Sequence, residues 1–191
     1  MRLNWSSKPA VLIGGGPSLA VEQVDYARQS DCYILAINNA YQLCPDAAAL
    51  YACDRNWWEH YRPDFAGTKY SLEYGKEGVF KMSNTGQNGI ETAWPGIRTG
   101  SNSGYQAINL AVHFGCKKII LIGYDMQHTG GKRHWHPDHP KSLKNSPGVS
   151  RWRRNFEDAA MILEDMGIGV INCTIQTALT CFWQADIREV L

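Results

Sequence analysis

The chain has 191 residues, of which 44% are hydrophobic and 19% charged, and its formal net charge is +1. That composition suits one globular domain with its own core and excludes a disordered chain. The near-neutral balance gives no chain-wide attraction to nucleic acid or membrane, and no apolar run approaches the ~20 residues of a membrane span.

Ala10-Val11-Leu12-Ile13 predicts a buried first strand that stops at Gly14-Gly15-Gly16. Pro17 and Ser18 open a helix running to Arg28. Cys32–Ile37 is a second strand, ending at Asn38-Asn39, and Ala47–Cys53 a third, ending at Asp54. Each run is apolar on both faces, as parallel strands covered by helices are. Lys69–Leu72 and Val79–Met82 read as short strands. The stretch from Ser83 to Gly100 is rich in Gly, Asn and Thr and reads as a long loop, functional or mobile.

Ser103–Phe114 is a helix apolar nearly all round, closed by Gly115. Ile119–Ile122 is the clearest strand and ends in Gly123-Tyr124-Asp125. Residues 126–149 form a basic, histidine-rich loop or lid. From Ser150 to Met166 a helix places Trp152, Phe156, Ala159 and Leu163 on one face. Gly169–Asn172 is the last strand, and Thr180–Leu191 reads as a terminal helix. The alternation predicts an α/β fold: a Rossmann-like doubly wound, mostly parallel sheet with helices on both faces, in a single nucleotide-binding domain over residues 1–191. Six cysteines without a C-x-x-C spacing read as reduced thiols of a cytoplasmic protein, and no secretory leader is expected.

Doubly wound sheets bind ligands beyond the carboxyl ends of their strands, so strand-end residues are the site candidates. Gly14, Gly15, Gly16, Pro17 and Ser18 predict a phosphate cradle. Glycines reach backbone angles closed to other residues, and the following helix aims N–H groups and partial positive charge at the turn. The turn is neither G-x-G-x-x-G nor a Walker motif. A second hydroxyl-rich turn, Thr99 to Gly104, brings Asn102, Ser103 and Gly104 to the start of the buried helix, as a ligand contact or as a cap. Asn38 offers an amide to a base or ribose. Asp54 suits a metal, a ribose hydroxyl or a helix start. Asp125 reads equally as a catalytic group or as a carboxylate fixing its loop.

The loop holds His128, His134, His136 and His139. With no cysteine or glutamate inside it to complete a ligand set, no metal is expected, and His139 and His136 are read as general-base candidates. Between Lys132 and Arg154 lie seven basic residues (Lys132, Arg133, Lys141, Lys144, Arg151, Arg153, Arg154) against one acid, Asp138, a local balance of +6. That segment reads as a solvated basic lid or as a dock for an anionic acceptor, nucleic acid included.

In order and spacing these motifs resemble the bacterial lipo-oligosaccharide sialyltransferases and the related family that includes archaeal 6-hydroxymethylpterin diphosphokinases. The sialyltransferase G-x-G-P-S-L turn is matched by Gly14–Leu19, its strand-end Asn by Asn38, and its T-S-G turn by Asn102-Ser103-Gly104. Tyr105 to Asp125 matches in length and ends in the same Gly-x-Asp. The resemblance covers roughly residues 10–185 and implies a Rossmann-like fold and a nucleotide-linked donor. In the first family the donor is a cytidine monophosphate sugar and no metal is needed; in the second it is ATP with a divalent ion. One departure stands out. The sialyltransferase catalytic His precedes the helix matched by Ser150–Met166, where this chain has Ser146-Pro147-Gly148-Val149. A histidine base therefore requires the loop to fold back with His139 or His136.

The leading expectation is a nucleotide-sugar-dependent transferase without a firm cofactor. The alternatives are a pyrophosphokinase-like enzyme using ATP and Mg, with Asp54 and Asp125 as ion ligands, and a non-catalytic nucleotide sensor.

Overall fold

The computed structural model describes residues 1–137, 139–140, 143 and 148–191. The apolar runs become strands whose alternate residues serve two cores, because successive side chains point to opposite faces of a sheet. Strands β1 (Ala10–Ile13), β2 (Tyr33–Ile37), β3 (Ala49–Tyr51), β4 (Thr68–Ser71) and β5 (Val79–Lys81) step outward in chain order. A separate two-stranded pair follows, β6 (Ser83–Asn84) with β7 (Gly96–Ile97). Strands β8 (Lys118–Ile122), β9 (Gly169–Asn172) and β10 (Trp183–Gln184) then build the other half of the sheet. The order is β10-β9-β8-β1-β2-β3-β4-β5, parallel throughout. The fold is the expected Rossmann-like doubly wound α/β sheet. The direction of winding reverses between β1 and β8, and the switch point lies there.

Helices α3 (Ser103–His113) and α4 (Val149–Asp165) cover one face. There Leu12, Leu35, Ile119 and Leu121 pack with Ile108, Phe114, Phe156 and Leu163. Helices α1 (Val21–Gln29), α2 (Arg55–Tyr61) and α5 (Ile187–Val190) cover the other. Val11, Ile13, Ala36 and Ile120 meet Val24, Trp57, Trp58 and Ile187 there. Full burial of one such aliphatic side chain contributes about 1.5–3 kcal/mol, which is why four- and five-residue strands suffice. Among the described residues, no helix is long and apolar enough to cross a membrane. All six cysteines are free thiols.

Several boundaries differ from the sequence expectation. Helix α1 begins at Val21 instead of Ser18, because Leu19 N bonds to Gly16 O in a separate turn and Ser18 is engaged elsewhere. Helix α2 has no predicted span, although a helix start is one of the three readings of Asp54. It starts after Asp54, which caps it without a side-chain hydrogen bond, and it buries Trp57 and Trp58. The terminal helix shrinks to one turn capped by Asp186, since Trp183 and Gln184 join the sheet.

The Ser83–Gly100 loop is mostly irregular but well anchored. Asn109, fully buried on α3, accepts from Glu91 N and Arg98 N at 3.0 Å each and donates to Glu91 O at 2.8 Å. His113 bonds Gly96 O through Nε2 at 2.6 Å. Of the basic segment, Lys141, Lys144 and the acid Asp138 lie outside the described residues, as do Ser146 and Pro147.

Candidate functional site

An open crevice of about 1020 Å³ runs along the carboxyl ends of β1, β2, β3 and β8. Its walls bring together most of the sequence-predicted residues: Gly14–Pro17, Asn38, Asp54, Asn102–Gly104, Asp125, His136 and His139. Ser18 is the member of the set that does not line it.

The glycine turn is built differently from the expectation. None of Gly14, Gly15 and Gly16 has a left-handed backbone. Gly14 and Gly16 are glycines because another chain segment passes too close for a side chain. A Cβ on Gly14 would stand 2.5 Å from Gly123 O, and one on Gly16 would stand 2.0 Å from Asp125 Oδ1. The turn after β1 is thus pressed against the turn after β8. Gly14 N bonds Ile122 O and Gly16 N bonds Gly123 O, both at 2.8 Å.

Asp125 completes the lock. Its carboxylate, 1% exposed, accepts Ser18 N at 3.0 Å, Ser18 Oγ at 2.9 Å and Thr129 Oγ1 at 2.7 Å. Burial pushes the Asp125 carboxyl above the ordinary carboxylate range, against the opposing hydrogen bonds from Thr129 and Ser18. The expected anion position at Ser18 therefore holds the protein's own carboxylate. The start of α1, with Glu22 in its first turn, lies outside the crevice wall. Gly15 N remains: it makes no hydrogen bond among the described residues, and a Cβ at Gly15 would meet only His134 Nδ1, at 3.7 Å.

The second turn is likewise capped from within. Asn102 Oδ1 accepts Gly104 N at 2.8 Å and Tyr105 N at 3.1 Å. Gln106 donates to Thr99 O at 2.9 Å while accepting the Tyr51 hydroxyl at 2.8 Å, and Asn155 on α4 donates to Gly100 O at 2.8 Å. The turn is held from both neighbouring layers. Ser101 and Ser103 line the crevice.

Asn38 has φ of +50°, a conformation Asn tolerates better than most residues, and it opens the 3₁₀ turn Asn38–Gln42. Its neighbour Asn39 is buried and accepts Trp57 Nε1 at 2.7 Å. Asp54 faces Glu73, a residue the sequence reading passed over although it follows a predicted strand end. One ligand atom each from Cys53, Asp54 and Glu73 lies within 4.8 Å of the others. Burial, then Glu73, raises the Asp54 carboxyl, and burial pushes the Cys53 thiol up to about 12.

The histidine loop does fold back. Trp135 N bonds Gly15 O at 3.2 Å, laying residues 134–136 over the glycine turn. The rings of His134, His136 and His139 group together, with centroids 5.0, 5.1 and 4.8 Å apart. Tyr61, at the end of α2, places its hydroxyl 2.8 Å from His139 Nδ1. Arg133, His128 and Trp152 complete that wall.

In comparison with known proteins, no family model matches the chain, and no curated protein or solved structure matches it at a significant level.

Proposed function

We propose that the chain is a nucleotide-binding transferase of the glycosyltransferase type, working on a nucleotide-activated sugar. The observation that carries this reading is the position of the crevice. It opens at the β1/β8 switch point and is lined by Gly15, by Ser101 and Ser103, and by the histidine group that lies over the glycine turn. In this reading the donor phosphate lies against Gly15, and Asn38 contacts the nucleoside. The histidine wall receives the acceptor hydroxyl, with Arg133 adding positive charge. A phosphate leaving group gains most from fixed donors aimed at it, and the rigid turns supply such a frame. The resemblance to the sialyltransferases supports the same assignment.

A second reading, an ATP- and Mg-dependent pyrophosphokinase, draws on the Asp54–Glu73 pair, whose carboxylates suit a hard cation. Asp125 drops out of that reading because Ser18 and Thr129 already engage its carboxylate.

A thermal-shift series of nucleotides, with and without magnesium, tests both. Stabilisation by a cytidine or other nucleoside phosphate without metal supports the transferase, and stabilisation by ATP only with magnesium supports the alternative. Binding without turnover for every donor and acceptor would leave a nucleotide sensor.

A further inference from the structure

Helix α4 carries its charges against its own dipole. Residues 149–156 hold Arg151, Arg153 and Arg154 and no acid, and residues 157–165 hold Glu157, Asp158, Glu164 and Asp165 and no base. A helix is partially positive at its N-terminal end and partially negative at its C-terminal end, so each group sits at the end that repels it. Among the described residues, no ion pair compensates Arg153, Arg154, Glu164 or Asp165. We propose that a second copy of this chain supplies the compensation: α4 packs antiparallel against α4 of the copy about a twofold axis, and the protein is a homodimer. This goes beyond the nucleotide reading and does not rest on it.

The charge pattern fits such a pair in one register. With the axis level with Ala159, Arg153 of one copy comes opposite Glu164 of the other, and Arg154 comes opposite Asp165. Each contact occurs twice, as twofold symmetry requires. These residues lie on the outer side of the helix. Phe156, Ala159 and Leu163 belong to the core. At 3.6 residues per turn, Arg154, Glu157, Met161 and Glu164 fall on the opposite stripe, and all four are exposed. Pairing brings the partner's opposite charge to each end of α4 and sets the two helix dipoles against each other in the favourable sense.

The same stripe carries apolar surface that a single chain leaves uncovered. Met161 is 62% exposed, and Trp183, on the edge strand β10, is 65% exposed. Both line a groove of about 650 Å³ between α4 and the end of the sheet, with Glu157, Ala160, Glu164 and Cys181 beside them. An apolar centre with a charged rim is the anatomy of a protein interface. A partner carrying one sign of charge, such as nucleic acid, meets repulsion at one end of this stripe. A copy of the chain matches both ends at once, because an isologous interface is self-complementary.

Sedimentation equilibrium on the full chain tests the proposal. The expected result is a mass twice that of one chain, with a dissociation constant of about 10 µM or tighter. Raising salt from about 0.05 M to about 0.5 M should weaken the dimer several-fold, because the ion pairs lie at the rim. Met161→Ser should weaken it about tenfold. Two double variants are decisive. Arg153→Glu with Arg154→Glu makes both ends of the stripe acidic, and Glu164→Arg with Asp165→Arg makes both ends basic. Each puts like charges opposite one another in its own dimer and should sediment as a single chain up to about 100 µM. Each also puts its new charges at the end the helix dipole favours, so melting temperatures should be unchanged or higher. Mixed in equal amounts, the two should form a heterodimer with the affinity of the unaltered chain, since every facing pair is then opposite in sign. A single-chain mass for the unaltered protein up to about 100 µM would overturn the proposal. So would a dimer that persists in either double variant alone, which places the contact on another face, or a mixture of the two that stays monomeric.

Discussion

The Asp125 carboxylate is held by both the amide and the hydroxyl of Ser18, at 3.0 and 2.9 Å. This pair ties the turn after β1 to the turn after β8 across the switch point of the sheet. It makes the two strand ends one rigid corner, and it assigns the anion position at Ser18 to the protein itself. What is left for a ligand is the neighbouring amide, Gly15 N, and the wall that faces it.

Gly15 and Gly16 should therefore respond differently to substitution. Gly16→Ala drives a methyl into Asp125 Oδ1 and Gly123 O and should cost about 1–3 kcal/mol in a denaturation experiment. Gly15→Ala meets only His134 and should fold with unchanged stability. Gly15→Val should keep the fold but abolish stabilisation by nucleotide. Equal losses of stability at the two positions would contradict the packing account.

Asp125→Ala should be destabilising without any ligand present. It leaves Ser18 N and Thr129 Oγ1 without their acceptor, and loss of hydrogen bonds to a buried carboxylate costs about 1.5–3 kcal/mol. A midpoint shift in urea at constant slope would show the loss. Unchanged stability would mean that the carboxylate is not a structural tie.

Asn109→Ala should free the loop from Ser83 to Gly100. Three backbone groups, Glu91 N, Glu91 O and Arg98 N, lose their partner, at about 1–3 kcal/mol for a buried group left unsatisfied. Hydrogen exchange should accelerate at Glu91 and Arg98 while the β1 and β8 amides stay protected.

His113 sets a pH dependence. Burial holds its imidazole below the ordinary value of 6.5, and Nε2 donates to Gly96 O in the neutral form. Below 6.5 the unfolded chain takes up a proton that the fold resists, so stability should fall as pH drops from 6.5 toward the folded value and level off above 6.5. His113→Gln should flatten that part of the stability–pH curve. A curve of the same shape in the variant would remove His113 from the account.

The sheet was legible because β1, β2 and β8 are short runs apolar on both faces, while α3 is apolar nearly all round and α4 has clear periodicity, with glycine stops at Gly115 and Gly167. The strand-end rule also led to Gly14–Pro17, Asn38, Asp54 and Asp125 on the crevice wall. Helix α2 was legible only as a possible start at Asp54: its seven residues, Arg55–Tyr61, are too few to show a repeat, and burial of Trp57 and Trp58, not propensity, fixes it. Without a span for α2, Tyr61 was hidden as well. The reason for Gly14 and Gly16 was hidden for another cause: a glycine demanded by a close approach looks the same in sequence as one demanded by a ligand or by an unusual backbone angle. Only the pairing of Gly123–Asp125 against them separates these. The grouping of three histidines likewise depends on where Trp135 is tied.

The central claim is that a nucleotide occupies the crevice beside Gly15. A crystal structure with the nucleotide that stabilises the chain most tests it directly. The account predicts a phosphate oxygen within hydrogen-bond distance of Gly15 N and the nucleoside against Asn38. A nucleotide seated elsewhere, or one that leaves Gly15 N in contact with water alone, would contradict it.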